Sequence, residues 1–229
     1  ASYDDETELI VKQLVNLHQD RIGVFFQNDA YGKAGLAGVT KALAARKLKP
    51  VAEATVERNS EDVAAAVAKL APSGAQAIVQ VGSYKACAAF IRAARKAGFG
   101  GTFYNVSFVG TQALADELGK DSAGVVVSQV MPSPYGAVRP ITREFVAAAR
   151  QSGKVNHNYS SMEGYLAAKV FAEGLRRAGG RPTREGLVTA LESINEDFGG
   201  YRVGFASNNH VASRFVELSM LTGDGRVRV

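Results

Sequence analysis

The sequence predicts an α/β fold: a mostly parallel sheet with flanking helices, followed by a portion that is almost wholly helical. Three observations carry this. Short apolar runs alternate with helix-length amphipathic segments as far as residue 130, an order that calls for parallel strands joined by right-handed crossovers. Residues 21–27 are near-continuously apolar, as a strand covered on both faces must be. After the Pro- and Gly-containing stretch 131–136 this alternation stops and three helical patterns follow.

Taken in order, residues 6–18 place Leu9, Ile10, Leu14 and Leu17 near helical spacing. The strand 21–27 leads through Asn28-Asp29-Ala30-Tyr31-Gly32 into an Ala- and Leu-rich helix ending near Lys47. A short strand follows at 51–56, and Ser60 reads as the N-cap of a helix running to Leu70. Residues 77–81 form a strand, Gly82-Ser83 a turn, and 84–97 a helix stopped by Gly98. A strand at 102–106, a short helix at 111–118 and a strand at 125–130 complete the first block. The later helices are 141–151, 160–178 and 184–194. The chain then turns to β at 201–205 and 215–221, with Gly223-Asp224-Gly225 as a hairpin-type turn before the last strand.

A chain of 229 residues, 46% hydrophobic and 21% charged, can bury the core of one large domain or two small ones. No run approaches the ~18 apolar residues of a membrane span. The opening six residues are polar and acidic, so no export signal is expected within them. The net charge of +5 is spread along helices, often beside acids. Its densest stretch, 176–184, reads as a helix end where cations complement the dipole, and no nucleic-acid partner is expected. Cys87 is the single cysteine, which excludes a disulfide within the chain; with Ala86, Ala88, Ala89 and Phe90 around it, it reads as a small buried apolar group.

The common enzyme signatures fail together. Gly32, Gly35 and Gly38 open a helix after a strand, but their three-residue spacing fits close helix packing better than dinucleotide binding. There is no P-loop. His18, His157 and His210 lack metal-ligand spacing, and Ser107 sits in Val106-Ser107-Phe108-Val109-Gly110 rather than in a nucleophile elbow. The expectation is therefore a non-catalytic protein that binds a small molecule, with no metal and no cofactor. In an open α/β sheet ligands settle beyond the carboxyl ends of the strands. The loops there, 28–32, 82–85 and 105–109, offer Tyr31, Ser83, Tyr84, Asn105, Ser107 and Phe108 as candidate ligand-binding residues. They supply hydroxyls, an amide, aromatic faces and helix-start N–H groups suited to a carboxylate.

Segment 21–32, Val81-Gly82-Ser83-Tyr84 with the helix 90–98, Phe103-Tyr104-Asn105-Val106-Ser107-Phe108-Val109-Gly110 and Ser213-Arg214-Phe215-Val216-Glu217-Leu218 carry a resemblance in their order and spacing. Over essentially the whole chain they resemble the type I periplasmic binding proteins, in the leucine/isoleucine/valine-binding branch. The resemblance implies a periplasmic receptor of an ABC importer. Two lobes would close on an amino acid or another small carboxylate, and the closed form would dock on the membrane permease. It implies that Tyr31 and Tyr84 reach the ligand on closure and that Ser83 and Ser107 offer polar contacts. It also implies the domains: 1–130 as the second lobe, 131–136 as a hinge, 137–195 as helices of the first lobe, and 196–229 as a return to the second.

Two departures from the family pattern shape the expectation further. Ser107 stands where amino-acid-binding members carry an acid that neutralises the ligand's ammonium. A buried ammonium without a counter-charge costs several kcal/mol, so an aromatic or aliphatic carboxylate is the expected ligand. In addition, about the first third of the family's chain, which builds most of the first lobe's sheet, has no counterpart here. The helices bearing Tyr165, Leu166, Val170, Phe171 and Leu175 then need another surface, so the chain alone is expected to bind ligand poorly and to self-associate. The alternatives are a ligand-sensing domain of a receptor or regulator, and a small α/β enzyme.

Overall fold

The computed structural model describes residues 1–136 and 138–229. In chain order the elements are α1 (Tyr3–Asn16), β1 (Ile22–Gln27), α2 (Ala30–Ala44), β2 (Ala52–Val56), α3 (Ala64–Leu70), β3 (Ala77–Val81), α4 (Tyr84–Lys96), β4 (Thr102–Asn105), α5 (Thr111–Leu118) and β5 (Val126–Gln129). Then come α6 (Pro140–Ser152), α7 (Tyr159–Ala178), α8 (Arg184–Glu192), β6 (Asn195–Asp197), β7 (Arg202–Gly204), β8 (Glu217–Leu221) and β9 (Val227–Arg228). They form two compact units, one of Ser2–Gln129 with Val216–Val229 and one of Val130–Phe215. The sequence drew its divisions at 131 and 196; the contacts draw them at 130 and 216. Residue 137, where the predicted helical block begins, lies outside the described residues.

The first unit is a seven-stranded sheet in the order β2-β1-β3-β4-β5-β8-β9. The first five strands are parallel, and β8 and β9 are antiparallel. Because side chains alternate along a strand, β1 sends Phe25 to one face and Val24 and Phe26 to the other. Phe25 joins Ile78, Phe90, Phe103 and Val127 in the core under α3, α4 and α5. Val24 and Phe26 join Val79, Val81 and Tyr104 with Ile10 and Leu14 of α1 and Val39 and Leu43 of α2. Covering both faces explains why β1 and β3 are buried at every position.

The three glycines of α2 are explained by close approach. A Cβ at Gly35 would stand 2.6 Å from the Val81 methyls, and one at Gly38 would stand 2.4 Å from Thr7 Oγ1. At Gly32 it would stand 1.9 Å from the carbonyl oxygen of Gln27. The helix therefore lies close against the end of β1, β3 and α1, as the packing interpretation requires.

One predicted cap is corrected. Ser60 does not cap α3, which starts after Val63 without a side-chain cap. Its Oγ instead accepts from the amide of Asp62, whose carboxylate accepts from Ala64 N, so two short turns precede the helix.

The second unit packs α6, α7, α8 and the β6–β7 hairpin around Ile141, Phe145, Met162, Leu166, Ile194 and Tyr201. A Cβ at Gly174 would stand 2.5 Å from Leu191, so α7 and α8 touch closely there. Arg177 ties the same corner together: it donates to Glu173, to Ser193 O at 2.7 Å and to Glu196. Strand β6 was not foreseen; Asn195-Glu196-Asp197 is wholly polar and exposed, and it leaves no alternating pattern to read.

Arg176 and Arg177 beside Glu173 hold its carboxyl down, to about 2 from 4.5. A carboxyl with a lowered folded-state pKa stabilises the fold above its unfolded value, and that contribution is lost as pH falls. We expect melting temperature to drop between about pH 4.5 and 2, and Glu173→Gln to flatten part of that slope. An unchanged slope in the variant, measured by thermal melts across this range, would remove the ion pairs as its cause.

Candidate functional site

The carboxyl edge of β1, β3 and β4 is built from three turns. In the first, Asp29 caps α2 by accepting from Gly32 N at 3.0 Å, and Gln27 Nε2 donates to the same carboxylate. The glycine lets the helix begin directly over the end of β1, which places Tyr31 on the edge. The Tyr31 ring packs against Tyr3, with centroids 5.3 Å apart, and meets Phe108 edge-on, also at 5.3 Å. Its hydroxyl is buried and has no hydrogen-bond partner among the described residues. Burial pushes its pKa far up, so the phenol stays protonated.

In the second turn Ser83 caps α4, accepting from Ala86 N at 3.4 Å, and is exposed. Tyr84 begins the helix half-buried and leans on the core beneath α3–α5. Tyr31 leans on the opposite core, so these two tyrosines share an edge but belong to different faces of the sheet.

The third turn joins β4 to α5. Asn105 was expected among the ligand contacts, yet it is completely buried, with Nδ2 donating to Val126 O at 3.4 Å. It lies two residues from Phe103, on the same inward face of β4. Ser107 opens a one-turn 3-10 segment, Ser107–Val109, and Phe108 projects from it 73% exposed.

Sequence reasoning missed Glu6. The first turn of α1 brings its carboxylate under Ser107, from which it accepts the N–H at 2.7 Å and the hydroxyl at 3.1 Å; it also accepts from Ser128 Oγ at 2.6 Å. Burial raises its pKa, against the pull of these hydrogen bonds. The place that lacks an acid in the sequence therefore has one in space. Because its hydroxyl donates to Glu6, the Ser107 oxygen keeps its lone pairs available as an acceptor above that buried carboxyl. A signal existed: Glu6 falls one helical turn before Ile10, on the buried stripe of α1.

The edge thus joins Tyr31, Ser107 and Phe108 into an apolar, aromatic surface with one buried phenol donor and one hydroxyl acceptor. Such a surface suits binding: each well-covered ring contributes roughly 1.5–3 kcal/mol of apolar contact. The Cys87 thiol is fully buried and pushed strongly up, hence protonated and unreactive. Among the described residues no three His, Cys, Asp or Glu side chains cluster as metal ligands, and no helix is long and apolar enough to cross a membrane.

Tyr31→Phe removes a hydroxyl that is buried without a partner. We expect it to stabilise the chain by about 1 kcal/mol while weakening ligand binding, a split that paired melts and titrations would detect. Loss of stability would show that the hydroxyl is bonded within the fold.

The model of the family described as periplasmic binding protein matches residues 1–226. No curated protein is similar enough to count as a match. Among solved structures, a possible leucine/isoleucine/valine-binding protein from Rhodopirellula baltica is 31% identical, with a TM-score of 0.93, over 98% of this chain and 63% of its own. A substrate-binding periplasmic protein from Ralstonia solanacearum is 35% identical, with a TM-score of 0.90, over 100% of this chain and 66% of its own. A branched-chain amino acid ABC transporter protein from Thermus thermophilus, solved with bound valine, shares the fold at 17% identity and a TM-score of 0.83, over 99% of this chain and 64% of its own. The chain thus spans slightly less than two-thirds of the length of these relatives.

Proposed function

The chain belongs to the periplasmic binding protein family, and from that premise we propose that it serves an ABC-type importer outside the cytoplasm. It captures a small amino-acid-like or carboxylate ligand and hands it, chemically unchanged, to a membrane permease. Residues 131–136, with Pro132 and Pro134, act as a hinge segment. The observation that carries the binding role is the Tyr31–Phe108 pair at the carboxyl edge, where a buried phenol without a partner adjoins a widely exposed ring. Its position supports the reading because open α/β sheets bind ligands at that edge. The Ser107 acceptor backed by Glu6 favours a ligand that carries an N–H donor.

Calorimetry with L-leucine, L-valine and benzoate tests this. Weak but saturable 1:1 binding of the amino acids, recovered intact, is the expected result for this chain. Benzoate binding alone would shift the ligand to a plain carboxylate, and turnover of any of them would end the reading.

The second unit carries an apolar groove of about 310 Å³, lined by Met131, Leu166, Val170, Phe171, Tyr201 and Phe205. Phe171, Leu175 and Val188 are exposed on the same unit. Apolar surface of this kind drives association. The 229-residue chain is expected to self-associate, with a sedimentation coefficient that rises with concentration; a constant monomer value would refute this.

A further inference from the structure

The first turn of α1 carries a charge where the helix should be apolar. Glu6 shares the buried stripe with Thr7, Ile10, Val11 and Leu14 and is 1% exposed. A buried carboxylate is costly, and folds retain it where donors meet it. No Lys or Arg side chain pairs with Glu6 among the described residues; its hydrogen bonds come from Ser107 and Ser128. Nor does α1 need Glu6 for its own start, because Ser2 and Asp5 already form a reciprocal cap there.

The turn it meets has the opposite need. Segment Ser107–Val109 has no side-chain cap of its own, and it ends at Gly110 with φ +79°. Glu6 supplies the missing cap from 101 residues away by accepting the Ser107 N–H. Phe108 follows directly. A ring that is 73% exposed has little packing to hold it, so the backbone of its turn sets its position beside Tyr31.

We propose that Glu6 is a positioning residue for ligand binding: from α1 it clamps Ser107 and so fixes the turn that presents Phe108 beside Tyr31. Its part in binding rests on this edge being the ligand wall, whereas its hold on the turn does not.

Glu6→Gln keeps the size and one acceptor but removes the charge. By NMR we expect amide exchange at residues 107–110 to accelerate about tenfold, with β1 and β3 unchanged, and the Tyr31–Phe108 ring contacts to fade. Ser128→Ala, which leaves both Ser107 bonds in place, should keep wild-type exchange in the turn. With L-leucine as probe, Glu6→Gln should weaken binding about tenfold, and adding it to Phe108→Ala should cost nothing further.

Wild-type exchange and ring contacts in Glu6→Gln would overturn the proposal. So would a uniform loosening of every strand, the mark of a purely structural core residue. Should Glu6→Gln not fold, Ser107→Ala, which loses only the hydroxyl bond, must show intermediate exchange in the turn; wild-type exchange there would also overturn it. A wild-type protein that ignores leucine, valine and benzoate defeats the functional reading, and the exchange data still decide the clamp.

Discussion

Gly32→Ala is expected to prevent the native β1–α2 turn from forming. The added methyl would lie 1.9 Å from Gln27 O and 2.7 Å from both Gln27 C and Gln27 N. These are backbone atoms of a fully buried strand, and they cannot rotate aside as a side-chain tip can. Relief requires moving α2 off the sheet, with loss of the Asp29 cap and of the apolar contacts of Val39 and Leu43. The cost should exceed about 4 kcal/mol, a large part of the stability of an ordinary domain. Gly164→Ala is the control: it lies inside α7 with nothing but its chain neighbours and the helix's own backbone within 4 Å of the new methyl. There alanine should raise stability by up to about 1 kcal/mol. Chemical denaturation of both variants decides, and wild-type stability for Gly32→Ala would mean that the turn is built differently.

Phe90→Ala should be the most damaging truncation on the other face. Phe90 comes from α4 and is fully buried, stacked on Phe25 at 4.2 Å with 17° between the planes, and edge-on to Phe103 at 6.4 Å. It therefore joins the helix to two neighbourhoods of the sheet at once. Removing a ring of this kind costs about 3–5 kcal/mol, counting lost transfer energy and the cavity left behind. Urea titration should show a lower midpoint with an unchanged slope, since the surface exposed on unfolding is nearly the same. A loss below about 1 kcal/mol would show that α4 can settle into the space.

Much of this architecture was legible because each parallel strand is covered on both sides and reads as a dense apolar run. The strand 77–81 was placed to the residue for that reason, with the Gly82-Ser83 turn after it, and the helix 111–118 also keeps its expected bounds. Elements whose residues face water were harder. Strand β6 is polar throughout, and Ser60 looked like a cap because the local pairing of Asp62 with Ala64 leaves no mark in composition. At the candidate site, Tyr31, Ser107 and Phe108 were named from the loops alone, and the fold brings them together. Asn105 was named from its place beside the turn, but it is the last residue of β4 and its side chain is buried within the sheet layer. The burial of Glu6 left a trace in its place on the apolar stripe of α1, but its partner did not. A bond from the first turn of α1 to the end of β4 depends on which strands become neighbours, and one chain read linearly does not state that.

The antiparallel pairing of β5 with β8 has a consequence for how the molecule is made and how it could be cut. The polypeptide leaves the sheet at Gln129 and re-enters beside the strand it left, with Gln129 opposite Glu217 and the Gln129 amide bonded to Ser219 and Thr111. The 86 residues from Val130 to Phe215 are thus an insertion within what would otherwise be a simple hairpin. During synthesis β5 must wait for that whole excursion before its outer neighbour arrives, and a long loop must be closed to seat β8. Joining residue 129 to residue 216 through an Asn-Gly turn would shorten that closure to a local step and yield a sheet module whose carboxyl edge can be studied by itself.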